Sequence, residues 1–154
     1  MHRGYLQQAV ELAIENVKCN GGPYGALIVR QGEIIAACAN GVTRDLDPTA
    51  HAEVLAIRHA CRNLQDYQLT GCVLYTSCEP CPMCLGAIYW ARLESVYYAC
   101  SRDDAAAAGF DDRFIYEQIA LLPGRRSIPM HYLELADAGL PFNVWQQNVA
   151  KKPY

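Results

Sequence analysis

Residues 72–100 of the chain, CVLYTSCEPCPMCLGAIYWARLESVYYAC, decide the fold. The apolar run from Cys72 to Ser77 predicts a strand, and the segment from Ser95 to Cys100 predicts another. Between them, Pro80 opens a segment, Cys81 to Ala91, that predicts a helix. A strand, a helix and a strand in this order indicate a crossover unit whose two strands run parallel.

The segments before this unit predict a helix, a hairpin and a second helix. Apolar residues recur at helical spacing from Tyr5 to Cys19, and the Asn-Gly-Gly-Pro run that follows ends the helix. The runs Gly25 to Arg30 and Glu33 to Ala39 are joined by a short Gln-Gly turn, which predicts an antiparallel pair. Ala50 to Leu64 is rich in helix-forming residues, and Thr49 is placed to cap its start.

The segments after the unit predict a helix at Asp111 to Leu122, a fifth strand at His131 to Leu135 and a closing helix at Pro141 to Lys151. Alternating strands and helices predict an α/β fold, with parallel pairs in the second half of the sheet and helices on both faces. The chain has 154 residues, of which 52% are hydrophobic, and this is the size of one domain. We therefore predict a single domain over residues 1–154.

The charge balance argues against a polyanionic partner. The chain carries 13 basic and 16 acidic side chains, with a formal net charge of -3. Its basic residues form no cluster larger than the pairs Arg125-Arg126 and Lys151-Lys152. Proteins that grip nucleic acid present a basic face, so we predict that nucleic acid is not a partner.

The N-terminal segment and the cysteines predict a cytoplasmic protein. Met1 to Asn16 has no continuous apolar core and contains acidic residues, so it does not resemble a signal or transit peptide. The longest apolar candidate for a membrane span, Pro82 to Ala91, is about half the necessary length, so we predict no membrane partner. Without a secretion signal, the eight cysteines are expected to be thiols or metal ligands rather than disulfides.

Two short motifs carry the chemistry of the chain. The first is His51-Ala52-Glu53, and the second is the run Pro80-Cys81-Pro82-Met83-Cys84. Together they match the H-x-E and P-C-x-x-C signature of zinc-dependent base deaminases. Cys81 and Cys84 share one face of a helix, so both thiolates can reach one ion, and His51 supplies a third ligand. Three protein ligands leave the fourth position of a zinc ion for water.

The spacing of His51 and Glu53 places the metal beyond the end of a helix. Residues two apart point to nearly opposite sides of a helix, so the pair can serve one site only at the first turn. Helix N-termini also favour thiolates and developing anions. Glu53 is then expected to take a proton from water, pass it to a ring nitrogen and protonate the departing amine.

Each motif also has a structural interpretation. A single H-x-E is common on helices, and P-C-x-x-C alone occurs in redox and structural zinc sites. A closed structural site in which Cys78 joins His51, Cys81 and Cys84 is the main alternative, but it would leave Glu53 without a role. A zinc module that serves protein interaction, without catalysis, is the corresponding alternative function.

On these residues, the chain resembles the cytidine-deaminase-like superfamily and, within it, is similar to the bacterial guanine deaminase family. The matching stretches are GGPYGALIV, NGVTRDLDPTAHAEVLAIR, LYTSCEPCPMCLGAIYWAR, AGFDDRFIYE and the terminal KKPY. The AGFDD segment and the terminal tyrosine distinguish the guanine deaminase family. The resemblance implies a three-layer α/β/α fold with a five-stranded mixed sheet and one catalytic Zn²⁺ per subunit.

The same resemblance implies hydrolytic deamination of guanine to xanthine and ammonia. It implies that Asp112 lies by the substrate's amine and relays protons, that Asn40 hydrogen-bonds the purine and that Tyr154 closes the pocket. It further implies three aromatic residues around the purine ring, namely Tyr24, Trp90 and Phe110. Tyr24 stands where we expect phenylalanine in relatives. Finally, the resemblance implies a homodimer that exchanges the segment from about residue 131 to residue 154.

The residues themselves leave alternatives open at the substrate pocket. Asp111 and Asp112 both precede a helical segment, so either is suited to cap its N-terminus, and Tyr154 has the alternative of a frayed tail. Guanosine, ammeline, cytosine and adenosine in transfer RNA are alternative substrates of the same scaffold. Transfer RNA fits least well, because the chain is mildly acidic and a terminal tyrosine in the pocket would obstruct a large substrate.

Overall fold

A computed structural model describes residues 1–154 and divides them into two compact units, 1–112 and 113–154. The first unit contains four strands and five helices. In chain order they are α1 (His2–Lys18), β1 (Gly25–Arg30), β2 (Glu33–Ala39), α2 (Val42–Asp45), α3 (Ala52–Leu64), β3 (Cys72–Cys78), α4 (Pro82–Trp90), β4 (Ser95–Cys100) and α5 (Arg102–Ala107). None of the helices in the chain is long and apolar enough to cross a membrane.

The four strands form one mixed sheet in the order β2-β1-β3-β4. β1 is antiparallel to both β2 and β3, whereas β3 and β4 run parallel with α4 as their crossover. The parallel register pairs Val73 with Ser95 and Cys78 with Cys100. The predicted hairpin and the predicted crossover unit are therefore confirmed, and β4 is an edge strand of the sheet.

Helices cover both faces of the sheet, which gives three layers. Successive side chains of β1 alternate between the faces, as the pleat of a strand requires. Ala26 and Ile28 belong to the core cluster under α3 and α4, whereas Leu27 and Val29 pack with Ala9 of α1. Residue 25 is glycine where α1 approaches the sheet most closely, because a Cβ there would collide with the Ala9 carbonyl oxygen. A larger side chain at residue 25 would push α1 away from the sheet.

The loop before α3 differs from the predicted helix cap. The N-cap residue of α3 is His51 rather than Thr49, and no side chain caps the helix. The Thr49 hydroxyl donates instead to Oδ1 of Asp47 at 2.7 Å, so it is engaged within the preceding loop. The consequence is that the first free backbone N–H groups of α3 lie beside His51.

The second unit contains two α-helices and no strand. They are α6 (Arg113–Ala120) and α7 (Leu140–Gln147), and a short 3₁₀ turn spans Pro123–Arg125. The predicted fifth strand at His131 to Leu135 is wrong, and the sheet has four strands rather than five. A strand exists only within a hydrogen-bonded ladder, and these residues are exposed and pair with no strand.

The second unit also lacks a core of its own. None of residues 113–154 is buried, although many of the side chains are apolar. The largest exposed apolar side chains include Ile128, Tyr132, Leu133, Phe142 and Val149. An exposed apolar surface of this extent is typical of a segment that packs against a partner.

Candidate active site

Two helix N-termini bring the three metal-ligand residues together. His51 is the N-cap of α3, Cys81 is the N-cap of α4, and Cys84 lies in the first turn of α4. Both N-cap residues have extended backbone conformations, and neither side chain caps its own helix. The imidazole and both thiols are therefore free to point beyond the helix ends, where their ligand atoms lie within 4.8 Å of one another.

The distances between these atoms fit a tetrahedral zinc site. Nδ1 of His51 lies 3.5 Å from Sγ of Cys81 and 3.5 Å from Sγ of Cys84. With Zn–N and Zn–S bonds of the usual lengths, a tetrahedral nitrogen–sulfur edge measures about 3.6 Å. The borderline-soft donor set of one imidazole and two thiols also favours zinc. The structure thus brings together the predicted ligand residues, His51, Cys81 and Cys84, as a His/Cys/Cys group able to hold Zn²⁺.

The two thiols share one negative charge when no cation is bound. The hydrogen bond from Cys84, followed by the one with His51, lowers the pKa of the Cys81 thiol to about 4. The same hydrogen bond to Cys81, together with burial, raises the pKa of Cys84. The hydrogen bond with Cys81 raises the pKa of His51. A divalent cation at this point would favour both thiolates, and the positive ends of the two helices assist it.

Glu53 lies beside the metal ligands in a buried position. Its side chain is only 4% exposed, and burial is the main cause that raises the pKa of its carboxyl group. Oε1 accepts a hydrogen bond from Oγ1 of Thr76 at 3.1 Å. Oε2 accepts one from Sγ of Cys84 at 3.5 Å. One oxygen of the carboxyl group therefore contacts a residue of the sheet, and the other contacts a metal ligand.

Thr76 is a site residue that the motif analysis missed. Its signal in the sequence is a polar residue within the apolar run of β3, in the same alternation as Leu74. Leu74 belongs to the core under α3, so Thr76 faces the helix that carries Glu53. A buried polar residue on a central strand needs a partner, and that partner is the candidate general base.

Asn40 follows β2 and presents a free donor. Its side chain is 7% exposed, and its Oδ1 accepts a hydrogen bond from the backbone N–H of Val42 at 3.2 Å. The Asn16 side chain donates to the Asn40 carbonyl oxygen at 2.9 Å, which fixes the backbone of this loop. Because Oδ1 is engaged by a donor, Nδ2 is the group that remains available for a ligand.

Tyr24, Phe110 and Asp112 lie on the same side of the first unit. The rings of Tyr24 and Phe110 meet edge to face with 5.3 Å between their centroids. Burial, followed by the electrostatic influence of Cys78, Glu53 and Asp112, raises the pKa of Tyr24 to about 12. Burial, followed by the charge of Cys81, raises the pKa of Asp112. The mutual electrostatic influence of Tyr24, Glu53, Cys81 and Asp112 indicates that these residues surround one region.

Trp90 lies at the opposite end of α4 from the zinc ligands, and Tyr154 lies in the second unit. Trp90 is the last residue of α4 and is 67% exposed. Six residues of helix separate it from Cys84, which corresponds to about 9 Å along the axis. Tyr154 belongs to the second unit, where its ring contacts Trp145 at a centroid distance of 6.5 Å. The pocket roles implied for Trp90 and Tyr154 stay predictions.

Cys78 does not join the metal-ligand group. Its thiol donates to the carbonyl oxygen of Ser101 at 3.5 Å, and burial, followed by the nearby Cys100, raises its pKa to about 11. Cys78 is not among the residues whose ligand atoms converge, which are His51, Cys81 and Cys84. It lines an apolar cleft of about 250 Å³ between α1 and α5, next to Tyr24. The geometry thus favours an open three-ligand site over the closed four-ligand alternative.

The layered fold and the open His/Cys/Cys site define a zinc-binding α/β protein of the deaminase class. The cytidine and deoxycytidylate deaminase zinc-binding region matches residues 1–100. The chain belongs to this family and is a zinc-dependent hydrolase.

Two similar proteins and one similar solved structure illustrate the range of this family. The chain is 54% identical over 154 residues to the guanine deaminase of Bacillus subtilis (strain 168), which covers 99% of both chains. A crystal structure of guanine deaminase from Bacillus subtilis superimposes with a TM-score of 0.99, at 54% identity, and covers 100% of this chain and 99% of that one. The tRNA-specific adenosine deaminase of Aquifex aeolicus (strain VF5) is 51% identical over 77 residues, 50% of this chain and 51% of that protein.

Proposed function

We propose that the chain hydrolyses guanine to xanthine and ammonia, with Glu53 as the group that carries protons. The observation that supports this most directly is the contact of the buried Glu53 carboxyl with the zinc ligand Cys84, in a chain 54% identical to a guanine deaminase along nearly its full length. The similarity to that relative extends beyond residue 100, where the family match ends. It therefore includes the segments that carry Asp112 and Tyr154.

His51, Cys81 and Cys84 would hold the zinc ion, which would supply a water molecule activated for attack at neutral pH. Oε2 of Glu53 is the oxygen in contact with the ligand set, so it is the atom placed to take a proton from an attacking water. The same carboxyl group would pass this proton to the ring nitrogen beside the attacked carbon, take a second proton from the hydroxyl group added to that carbon, and give it to the departing amine. The overall reaction consumes one water and releases ammonia, with a carbonyl in place of the amine.

We propose that four groups bind the purine next to Glu53. The free Nδ2 of Asn40 donates to an acceptor on the purine edge. Asp112 accepts from the amine and the ring N–H, which are the donors that guanine presents. The rings of Tyr24 and Phe110, already in contact, pack against the flat base.

The proposal includes two further groups, Trp90 and Tyr154. Trp90 is proposed to pack against the base, and Tyr154 to close the pocket. Both side chains are largely exposed, at 67% and 70%, so each has an apolar surface that a substrate or partner would cover.

We propose that two copies form a homodimer and exchange the segment from about residue 131 to residue 154. The support is the lack of any buried residue in 113–154 together with its many exposed apolar side chains. In an isolated segment of this composition, burial of apolar surface would not offset the conformational entropy lost on ordering. Exchange with a second copy would provide that burial. In a single chain, the edge strand β4 has no strand beside one side of its backbone. This edge is a further surface that a second copy could cover.

We also propose a cytoplasmic location. All eight cysteines are free thiols, and none of them forms a disulfide. Reducing compartments preserve such thiols. This composition supports the proposal independently of any targeting signal.

The test of the proposed function is ammonia release by the zinc-loaded protein. Guanine, guanosine, adenine, cytosine and ammeline are compared at equal concentrations, with conversion of guanine to xanthine followed by ultraviolet absorbance. Guanine is expected to have the highest kcat/KM, and Glu53→Gln is expected to lower kcat by about 10²- to 10⁴-fold while it retains zinc. A zinc-loaded sample that deaminates another base and leaves guanine unchanged would refute the assignment of guanine. A sample that binds zinc and releases no ammonia from any base would indicate a structural site.

A further inference from the structure

Thr76 has a position in the core that packing alone does not explain. It lies on the central strand β3, its side chain is 0% exposed, and its neighbours on the same face belong to the apolar core. Valine has almost the same shape and would fill this position without a buried hydroxyl. Burial of a hydroxyl costs free energy unless the group is hydrogen-bonded, so its presence calls for a partner.

The hydroxyl of Thr76 has one hydrogen-bond partner, Oε1 of Glu53, at 3.1 Å. The strand holds the hydroxyl rigidly, because the backbone of β3 is paired on both sides, with β1 and with β4. A β-branched side chain on a strand also has few rotamers to choose from. Oγ1 of Thr76 therefore has a fixed position on the sheet side of the site.

The second oxygen of the same carboxyl group lies on the metal side. Oε2 of Glu53 is 3.5 Å from Sγ of Cys84, and Cys84 lies 3.5 Å from Nδ1 of His51. The last torsion of a glutamate side chain is soft and has no sharp preference of its own. The Thr76 hydrogen bond to Oε1 fixes this torsion and leaves Oε2 on the side of the ligand set.

We infer that Thr76 is a positioning residue for the deamination reaction, which holds Oε1 of Glu53 so that Oε2 faces the zinc-bound side of the site. This inference rests on the proposed role of Glu53. Thr76 does not touch the substrate and transfers no proton itself. Its effect is to keep the proton-carrying oxygen within reach of the water and of the purine ring nitrogen, since small misplacements of a catalytic group are costly.

The experiment compares Thr76→Val, Thr76→Ala and Thr76→Ser with the wild-type protein, all loaded with zinc. Valine removes the hydroxyl and keeps the volume, alanine removes the hydroxyl without adding a methyl group, and serine keeps the hydroxyl alone. Thr43→Val, at an exposed position of α2, is the control for the same substitution outside the site. For each protein, kcat, KM, zinc content and the urea unfolding midpoint are measured.

We expect Thr76→Val and Thr76→Ala to lower kcat by about 10-fold or more, since hydrogen bonds to charged groups are strong, with KM changed less than about threefold. Zinc content should stay at one per chain in both. Thr76→Ser should recover most of the lost kcat, although it lacks the methyl group and is expected to unfold more readily than Thr76→Val. A purely structural role predicts the reverse order, with valine active and serine impaired.

The outcomes separate this inference from the proposed function. If the wild-type protein does not deaminate guanine, the proposed function fails before Thr76 is considered. If the wild-type protein is active and a folded, zinc-loaded Thr76→Val or Thr76→Ala retains full kcat, the positioning role is wrong. If Thr76→Val fails to fold, the pair Thr76→Ala and Thr76→Ser decides the question by the same comparison.

Discussion

Sγ of Cys84 lies 3.5 Å from Oε2 of Glu53, although Glu53 is in the first turn of α3 and Cys84 in the first turn of α4, which precede and follow β3 in the chain. The contact joins a metal ligand to the group that carries protons. Both residues occupy first turns of helices, where positive helix ends face one another across the ligand set. Negative charge at this site is therefore buried. The free-energy cost of that burial should be measurable as a change in protein stability.

The first prediction concerns the stability of the zinc-free protein. Burial raises the pKa of Glu53 above its unfolded value of about 4.3, so the native state disfavours ionisation. Between the unfolded and the folded pKa the native state binds more protons than the unfolded state, and stability falls as pH rises. Glu53→Gln removes this loss. Zinc-free Glu53→Gln should therefore unfold at higher urea than zinc-free wild type at pH 8.

The size of that difference should depend on pH. It should shrink as pH falls through the folded pKa of Glu53, because the wild-type carboxyl then becomes neutral as well. Urea unfolding of both proteins at intervals from pH 5 to pH 8, with a chelator present, measures it. A difference that stays constant over this range, or a variant less stable at pH 8, would contradict the buried charge as the cause.

The second prediction concerns removal of zinc. Chelation should abolish activity and leave Cys81 as a thiolate across neutral pH, since its pKa is lowered to about 4 by the hydrogen bond from Cys84. Alkylation of Cys81 by iodoacetamide should then be nearly independent of pH from 6 to 8, whereas an ordinary thiol such as glutathione reacts about tenfold faster per pH unit. Mass spectrometry of digested samples follows the modification.

Bound zinc should protect Cys81 from the same reagent, because the thiolate is then a ligand. Zinc added back before alkylation restores activity and serves as the control. Equal alkylation of Cys81 with and without zinc would show that this thiolate is not a ligand.

The first unit was predictable from sequence because its signals are local. The strands β1, β2 and β4 have the predicted bounds, and β3 extends one residue further, since short apolar runs and turn residues mark their ends. The short helix α5 was missed, although Ser101 and Asp104 form a capping box that the sequence displays as Ser-x-x-Asp. Its six residues bury no side chain, so the sequence has no apolar periodicity there that would predict a helix.

The second unit was less predictable for a physical reason. Residues 131–135 have strand-like composition, but a strand forms only beside another strand with which it can pair. The sequence of the segment does not show whether such a partner strand is available, and in the structure there is none. The site residues divide in the same way, into those that the sequence predicts and one that the structure adds. The motif named His51, Glu53, Cys81 and Cys84, whereas Thr76 became visible only when the register of β3 placed it under α3.

The third prediction distinguishes the open zinc site from a closed one. Cys78→Ala should retain one zinc per chain and activity within about threefold of wild type, since Cys78 donates to Ser101 and is not among the ligand atoms. Cys81→Ala should lose both zinc and activity, and it is the matched control. Atomic absorption with the ammonia assay measures both proteins. Loss of zinc in Cys78→Ala would restore the four-ligand structural site as the better explanation.

The fourth prediction concerns exchange of the C-terminal segment. If Tyr154 closes the pocket of the partner subunit, two inactive variants should complement each other in a mixed dimer. One is Glu53→Ala, which keeps the tail, and the other lacks Tyr154 and keeps Glu53. In a mixed dimer with exchange, the subunit that retains Glu53 receives an intact tail from its partner. That site should be fully active, whereas the other site has neither group.

Co-expression of the two variants with separate affinity tags gives the mixed dimer for the ammonia assay. A random mixture should show about a quarter of wild-type activity, since half of the dimers are mixed and each has one competent site. Each variant expressed alone provides the baseline, and light scattering gives the mass of the assembly. If the tail acts within its own subunit, or if Tyr154 is only a frayed end, the purified mixed dimer should be no more active than the average of the two parents.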